Sequence, residues 1–253
     1  MSQKFKVEQL DVEVFDKTVD MGMAAANFVA QKINEAIAEK GVAHVILATG
    51  TSQFSFLIAL KKKNIDWKKV IVFHLDEYRG ISDAHPASFR KYLKERILNE
   101  VNPKKVYLIN GDADDIEEVM NEYSEALENH PIDIACIGIG ENGHIAFNDP
   151  PVADFNDLKK IKIVDLDEDC RNQQLGEGWF PRLEDVPKQA FTLTIPTILS
   201  AKSISCVVPD ERKAAAVKNT LQAEISTVCP ATILRTHSDI KLFLDKGSAS
   251  KFN

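Results

Sequence analysis

AHVILATGTSQFSFLIAL, residues 43–60, contains the pattern that decides the fold. Its first six residues, 43–48, are a continuous apolar run, which is typical of a short strand buried on both faces. The polar turn Thr49–Ser52 follows, and apolar residues then recur at helical spacing from Phe54 onward. The stretch therefore predicts a strand, a tight turn and a helix.

The same unit recurs through the chain, because further apolar runs lead into polar turns and helical spacing. Predicted strands lie at 70–75, 106–110, 132–137, 203–208 and 240–245, and predicted helices at 17–40, 89–97, 114–129 and 210–222. Continuous apolar strands that alternate with amphipathic helices predict an α/β fold, with a mostly parallel sheet and helices on both faces. No repeat or linker interrupts the pattern, so we expect one domain over residues 1–253.

Composition and charge narrow the classes of partner. The 253 residues are 44% apolar and 27% charged, with a net charge of −7. No apolar run approaches the roughly 20 residues of a membrane span, and the start lacks the apolar core of a signal peptide, so we expect a cytoplasmic protein without a membrane partner. Lys61–Lys63 is the only tight basic run. This argues against a nucleic-acid partner, which needs clustered cations, but is compatible with an anionic small molecule.

The cysteines give no sign of a metal or redox site. Cys136, Cys170, Cys206 and Cys229 are widely spaced, with no CxxC pair and no histidine at zinc-ligand spacing. The sequence therefore predicts no metal and no redox dithiol.

Residues 148–190 are the least regular part of the chain by sequence, and they are rich in Asn, Asp, Gly and Pro. A loop of that length inside a compact domain is more often functional than filler. We therefore expect a lid at about 150–185 that closes over a ligand and excludes water.

Polar clusters follow four predicted strands at their carboxyl ends, where open parallel sheets bind ligands. Two clusters have the chemistry of an anion site. Gly50, Thr51 and Ser52 lie between a strand and a helix, where backbone N–H groups favour a phosphate or carboxylate. Asp210 can cap a helix whose first turn carries the cation Lys213. The alternatives are an ordinary capped turn and a solvated first turn.

FHLDEYRG, residues 73–80, ends a strand with two adjacent carboxylates, Asp76 and Glu77. Neighbours on an extended chain face opposite sides, so one of them can point into the site. Partial burial raises the pKa of a carboxyl group and makes it a usable general base. The alternative is a solvated pair, or Asp76 capping the next turn.

GIGENGHIAFNDPP, residues 138–151, places His144 directly after a buried strand. Histidine exchanges protons near neutral pH, and Asn142 and Asp149 are close enough in sequence to bond its ring and select its tautomer. Gly143 and its neighbouring glycines allow close approach of the backbone to a ligand. A dinucleotide site is excluded, because the following IAFNDPP cannot continue as the helix that such a site requires.

Together these clusters predict one pocket with an anion cradle, a carboxylate base and a histidine that moves a proton. The segments that carry them also resemble a known family. They are LATGTSQ, FHLDEYRG, GIGENGHIAFNDP, VPKQAFTLTIPTIL and VPDERKAAAV. In this order they are similar to the glucosamine-6-phosphate deaminase (isomerase) family, which includes galactosamine-6-phosphate isomerase and is related to 6-phosphogluconolactonase.

The resemblance implies a three-layer αβα Rossmann-like fold and conversion of an amino-sugar 6-phosphate to a ketose 6-phosphate and ammonia, without metal or organic cofactor. Asp76 matches the family's base, which moves a proton between C2 and C1 of the open-chain sugar. His144 matches the histidine that opens the pyranose ring, and Lys213 the lysine that binds the phosphate. Glu77 is implied to be a carboxylate at or directly behind the site. The expected partner is the small amino-sugar phosphate, and a homo-oligomer is possible.

This chain departs from the family's pattern at several site positions. Asn142 and Asp149 stand where the best-known form has Asp and Glu, and Ser52 stands where Thr is expected in the phosphate turn. The family's phosphate-binding arginine is replaced within RNQQLGEGWFP, so either Arg171 or Arg182 substitutes for it or the anionic group binds differently.

The leading hypothesis is a deaminase that acts on glucosamine 6-phosphate. The alternatives are galactosamine-6-phosphate isomerase, a 6-phosphogluconolactonase-like hydrolase, and a sugar-phosphate sensor that has lost catalysis. The preserved LDEY segment favours the isomerising enzyme over the lactonase, which needs no base at C2.

Overall fold

The structure is a computed structural model that describes residues 3–176 and 178–252. The strands are β1 Gln3–Val7, β2 Leu10–Phe15, β3 Ala43–Leu47, β4 Val70–His74, β5 Asp76–Tyr78, β6 Lys105–Tyr107, β7 Ile134–Ile137, β8 Ile161–Asp165, β9 Gln189–Leu193, β10 Ser203–Val208 and β11 Ile240–Asp245. The α-helices are α1 Thr18–Lys40, α2 Phe54–Leu60, α3 Phe89–Leu93, α4 Asn99–Val101, α5 Ile116–Asn129, α6 Glu168–Gly176, α7 Ile195–Leu199 and α8 Ala214–Gln222. A π-helical turn, Lys94–Leu98, joins α3 to α4.

Eight strands form the central sheet, in the order β1-β2-β11-β10-β7-β3-β4-β6. Every neighbouring pair in it is parallel except β1 with β2, which form an antiparallel hairpin at one edge. The predicted α/β fold with a mostly parallel sheet is confirmed. Because β10, β7, β3 and β4 are neighbours and run in the same direction, the polar turns at their carboxyl ends meet at one edge of the sheet.

Helices cover both faces of this sheet, which gives three layers. Alternate residues of a strand face opposite sides, so Val45 and Leu47 pack with α1 and α2, whereas Ile46 packs with α5 and α8. Each fully buried aliphatic side chain of this kind contributes about 1.5–3 kcal/mol to stability relative to an exposed one. The two cores fix the strand ends on which the polar turns are mounted.

Two parts of the fold were not predicted. The N-terminal hairpin of β1 and β2 adds two strands to the central sheet, although LDVEVF in β2 carries the alternation of a strand. A second, three-stranded antiparallel sheet has the order β5-β9-β8. Residues 148–190, which the sequence marks as the least regular part of the chain, contain β8 and α6, joined by irregular segments.

The small sheet positions the segment that follows β4. β5 pairs with β9 in the register Asp76 with Thr192, and the Leu193 N–H donates to the Leu75 carbonyl oxygen at 2.8 Å. Tyr78, fully buried at the end of β5, packs its ring against neighbouring phenylalanines, including Phe147 at a centroid distance of 5.4 Å. The chain thus leaves the central sheet at His74 and is immediately fixed in a second one.

Among the described residues, no helix combines the length and the apolar character that crossing a membrane requires.

Candidate active site

The four polar turns surround one cavity at the carboxyl edge of the central sheet. Its lining includes Thr49, Gly50, Ser52, Leu75, Asp76, Phe89, Gly138, Ile139, Gly140, His144, Ala146, Phe147, Gln173, Gln174 and Lys213. The strand ends approach each other closely at Gly138, where an added Cβ would lie 3.3 Å from Gln53 Nε2 and 3.4 Å from Ser52 Oγ. Glycine at this position allows the turns after β3 and β7 to meet.

Asp76 is the carboxylate of this cavity. It begins β5 and is only 8% exposed. Burial, with a further contribution from the charge of Glu77, raises the pKa of Asp76 to about 8. Within residues 3–176 and 178–252, no group donates a hydrogen bond to its carboxylate. An ionised Asp76 is therefore a strong base for a carboxylate, because nothing but a ligand would stabilise its charge.

Glu77 faces away from the cavity and holds α3. Its carboxylate accepts from the N–H groups of Tyr78, Phe89 and Arg90, from Ser88 Oγ at 2.9 Å and from Arg90 Nε at 3.2 Å. Burial raises the pKa of Glu77, and the hydrogen bonds and the Arg90 cation oppose that rise. Glu77 thus lies directly behind Asp76 as a structural carboxylate and does not line the cavity.

His144 and Asp149 form a hydrogen-bonded pair. His144 Nδ1 lies 2.8 Å from Asp149 Oδ1, and both residues are buried. The sequence suggested that Asn142 bonds the ring of His144, but its hydrogen bonds go elsewhere. Its Nδ2 donates to Asp149 Oδ1 at 2.8 Å, and its Oδ1 accepts from the His144 backbone N–H.

The protonation of this pair follows from its contacts. Burial acts to raise the pKa of Asp149, but the electrostatic attraction of His144 and hydrogen bonds from His144, Asn142 and Cys170 outweigh it and leave the pKa below its usual value. An ionised Asp149 accepts only, so His144 Nδ1 carries the proton and donates it. Nε2 of His144 is then the ring nitrogen available to exchange a proton with a ligand.

Two glycines make room for the ring of His144. An added Cβ at Gly140 would lie 2.2 Å from His144 Nε2, so only glycine lets the ring occupy this place. Gly143 has a φ of +87° and packs against Cys229 Sγ. Gly143 was predicted to bind substrate, but it does not line the cavity. It shapes the turn that precedes His144.

The predicted anion cradle comes together from two strands. Gly50 and Ser52, after β3, line the cavity beside Lys213, which ends the short 3-10 helix Glu211–Lys213 after β10. Lys213 is 7% exposed, so solvent screens its charge only weakly. Thr51 is exposed and lines an adjoining depression with Ser52 and Lys213 instead of the cavity itself.

Neither predicted arginine reaches this cavity. Arg171 donates through Nη2 to the carbonyl oxygens of Leu183 and Val186, which anchors α6 to the following loop. Arg182 is exposed and forms ion pairs with surface carboxylates, including Asp185 at 2.9 Å. The expectation that one of them replaces the family's arginine at the cavity is not supported, because both guanidinium groups are bound elsewhere.

Sequence reasoning missed the contribution of α6. Gln173 and Gln174 both line the cavity. Gln173 Oε1 accepts from the Glu141 N–H at 3.1 Å, which links the helix to the turn after β7. Cys170 and Gln174 stand four residues apart, the spacing of one helix face, and only the structure shows that both are buried.

Metal ligands are not grouped in the described part of the chain. Among residues 3–176 and 178–252, no three His, Cys, Asp or Glu side chains lie together in an arrangement that could hold a metal ion.

The family model for glucosamine-6-phosphate isomerases/6-phosphogluconolactonase matches residues 16–159, which include the first three polar turns. This chain belongs to that family. The glucosamine-6-phosphate deaminase of Listeria monocytogenes serovar 1/2a is 33% identical over 233 residues, covering 92% of this chain and 97% of the relative. That of Exiguobacterium sibiricum is 39% identical over 204 residues, covering 81% and 79%.

Solved structures agree with the family assignment. A monomeric glucosamine-6-phosphate deaminase matches with a TM-score of 0.85 and 32% identity, covering 95% of this chain and 99% of its own. A 6-phosphogluconolactonase from Shewanella baltica OS155 matches with a TM-score of 0.77 and 18% identity, over 95% of this chain and 100% of its own. The second likeness shows a common fold, and the predicted three-layer Rossmann-like architecture is confirmed.

Proposed function

We propose that this protein is a glucosamine-6-phosphate deaminase, which converts glucosamine 6-phosphate and water to fructose 6-phosphate and ammonia. The observation that carries the proposal is that Asp76, His144 and Lys213 line the same cavity. A base, a proton-exchanging ring and a buried cation are the three groups that such a reaction on a phosphorylated amino sugar needs.

The phosphate is the part of the substrate through which the protein would anchor it. Lys213 and the turn at Gly50 and Ser52 would hold it, and this binding energy orients the sugar carbons at the far end. Backbone N–H groups and an ammonium group are ordinary phosphate ligands in proteins.

His144 would open the pyranose ring. Nε2 is the ring nitrogen that Asp149 does not hold, and it can exchange a proton with the ring oxygen or with the hydroxyl at C1 while Asp149 holds Nδ1–H. Asp149 also stabilises the imidazolium that forms when Nε2 takes up a proton, as an ordinary hydrogen-bonded carboxylate does.

Asp76 would then move the proton between carbons. The ionised carboxylate removes the proton from C2 of the open aldehyde, and the resulting enolamine accepts a proton at C1. This leaves an iminium at C2, to which water adds, and ammonia departs to leave the ketone. Because Asp76 is buried and without a donor in the described structure, its basicity is high for a carboxylate.

We propose that the segment 150–185 moves with α6 at its centre, because α6 borders the cavity through Gln173 and Gln174. A cytoplasmic location, the absence of a nucleic-acid partner and a homo-oligomer stay predictions from the sequence.

Ammonia release tests the proposed function. The purified protein is assayed on glucosamine, galactosamine and mannosamine 6-phosphates, with 6-phosphogluconolactone hydrolysis measured in parallel. Release of ammonia from glucosamine 6-phosphate, with the highest kcat/KM of the three, is expected. Preference for the galactosamine epimer, lactone hydrolysis without ammonia, or binding without turnover would each replace the proposal by one of its alternatives.

A further inference from the structure

Helix α6 places one buried amide in the wall of the cavity. Gln174 is 6% exposed and lines the same space as Asp76 and His144. A buried amide needs hydrogen-bond partners, because burying a donor or acceptor without one is unfavourable. The hydrogen-bond partners of Gln174 therefore indicate the role of its side chain.

One end of this amide is already fixed. The O–H of Tyr78 donates to Gln174 Oε1 at 2.6 Å, and Tyr78 itself is fully buried. The carbonyl oxygen is thus turned toward Tyr78, which directs the two N–H donors of Nε2 to the other side. Within residues 3–176 and 178–252, Tyr78 is the partner found for this side chain, and Nε2 is not among the fully buried unpaired atoms, so its donors are accessible from the cavity that Gln174 lines.

The position of Gln174 decides which part of a ligand it meets. Tyr78 stands two residues after Asp76 on β5, so both side chains leave the strand on the same face. The anion cradle at Ser52 and Lys213 belongs instead to the ends of β3 and β10, on either side of β7. Gln174 is therefore associated with the base, and a neutral amide in this position suits a hydroxyl or carbonyl oxygen better than a phosphate.

We propose that Gln174 is a specificity-determining residue, whose amide N–H groups donate to an oxygen of the sugar chain while Tyr78 holds its carbonyl oxygen. This inference rests on the proposed function and deepens it. It also explains how α6 would recognise the substrate, since the donors of Gln174 are accessible from the cavity in which the sugar would lie.

The experiment uses two variants of Gln174 and a matched control. Gln174→Ala removes the amide, and Gln174→Glu keeps its shape but replaces the donors by carboxylate oxygens. Asn172→Ala, an exposed residue of the same helix, is the control. Dissociation constants are measured by calorimetry for the open-chain sugar alcohol, glucosaminitol 6-phosphate, and for inorganic phosphate, beside KM and kcat for glucosamine 6-phosphate.

We expect Gln174→Ala to raise KM and the dissociation constant of the sugar alcohol about 3- to 10-fold, the worth of a neutral hydrogen bond. Gln174→Glu is expected to raise them further, and affinity for inorganic phosphate is expected to stay unchanged in Gln174→Ala. Tyr78→Phe, which keeps the packing and the amide, is expected to give a smaller increase. The control keeps wild-type values.

The contrary outcomes are distinct. An unchanged dissociation constant of the sugar alcohol in both Gln174 variants overturns the inference, as does an equal loss of affinity for inorganic phosphate. A lower kcat with unchanged KM and binding also overturns it, because that pattern indicates a structural role. Wild-type protein that releases no ammonia defeats the proposed function instead, and the two binding measurements still decide the role of Gln174.

Discussion

The carboxyl groups of Asp76 and Glu77 are adjacent in the chain and lie in opposite environments. Glu77 accepts hydrogen bonds from Arg90 and from the first turn of α3, whereas Asp76 lines the cavity with no donor from the described residues. The alternation of an extended strand produces this difference, because it turns one side chain to the structure and the next to the ligand. Neighbouring residues of the same chemistry are thereby given different functions.

Replacing Asp76 should remove catalysis and leave binding. In Asp76→Asn the amide cannot accept the C2 proton, so kcat is expected to fall by about 10²- to 10⁴-fold, the usual contribution of a positioned base. The dissociation constant of inorganic phosphate, measured by calorimetry, should stay within about twofold, well below the worth of one hydrogen bond. A variant with normal kcat would show that another group takes the proton.

Replacing Glu77 should mainly cost stability. Glu77→Gln breaks a buried ion pair with Arg90, and losing one partner of such a pair typically costs about 3–5 kcal/mol of unfolding free energy. Urea unfolding monitored by circular dichroism measures the change. Asp76→Asn is the matched control, because it also turns a buried carboxylate into an amide but breaks no ion pair. Equal stability of the two variants would contradict the assigned role of Glu77.

Activity should depend on the ionisation of Asp76. Because burial raises its pKa to about 8, most of the free protein holds Asp76 protonated at neutral pH. The base must be ionised, so kcat/KM is expected to rise about tenfold per pH unit below pH 8 and to level off above it. A profile that is already flat at pH 6 would show that Asp76 titrates normally.

The same shift predicts how stability changes with pH. The pKa of Asp76 is raised from 3.8, so the folded protein keeps a proton that the unfolded chain gives up between these values. The stabilisation is complete below pH 3.8 and is lost as pH rises through about 8. The melting temperature of wild type relative to Asp76→Asn should therefore fall from acidic to alkaline pH. A constant difference would refute the shift.

Removing the carboxylate that orients His144 should slow ring opening. Asp149→Asn takes the negative charge from Nδ1–H, and we expect kcat/KM to fall roughly 10²-fold, within the range of general acid–base catalysis. Asn142→Ala, which removes a neutral donor to Asp149 and the acceptor of the His144 backbone N–H, should cost about 2- to 10-fold. Steady-state assays of both variants check the order. A larger loss in Asn142→Ala would contradict this account of the pair.

Lys213 should account for a large part of phosphate affinity. A hydrogen bond to a charged group is worth about 1.5–3 kcal/mol, so Lys213→Ala is expected to weaken inorganic phosphate binding about 10- to 150-fold. The exposed Lys68→Ala removes the same charge away from the cavity and should leave affinity unchanged. Similar small losses in both variants would mean that only net charge matters.

The sequence predicted the central sheet and the meeting of its polar turns for a physical reason. Buried parallel strands are continuous apolar runs, and their carboxyl ends must lie at one edge, so Asp76, His144 and Lys213 could be placed together without coordinates. The sequence alone did not determine which of two neighbouring side chains faces the cavity. Which of Asp76 and Glu77 faces the cavity depends on the pairing of β5 with β9.

Features that rest on distant pairing could not be read from local pattern. The small sheet joins β5 to β9 across more than a hundred residues, and neither strand shows that partnership in its own sequence. Arg171 was a reasonable phosphate ligand by charge, but carbonyl oxygens of Leu183 and Val186 bind its guanidinium group. The orientation of the Gln174 amide depends on its hydrogen bond with Tyr78, which is distant in sequence.

The fate of a deuterium label at C2 of glucosamine 6-phosphate tests the role of Asp76 most directly. Product is analysed by NMR after turnover by wild type and by Asp76→Asn. If Asp76 moves the proton, wild type releases ammonia more slowly from the labelled substrate and transfers the label to C1 or to solvent, while Asp76→Asn leaves it on C2. Label that leaves C2 equally fast in the variant would contradict the central claim.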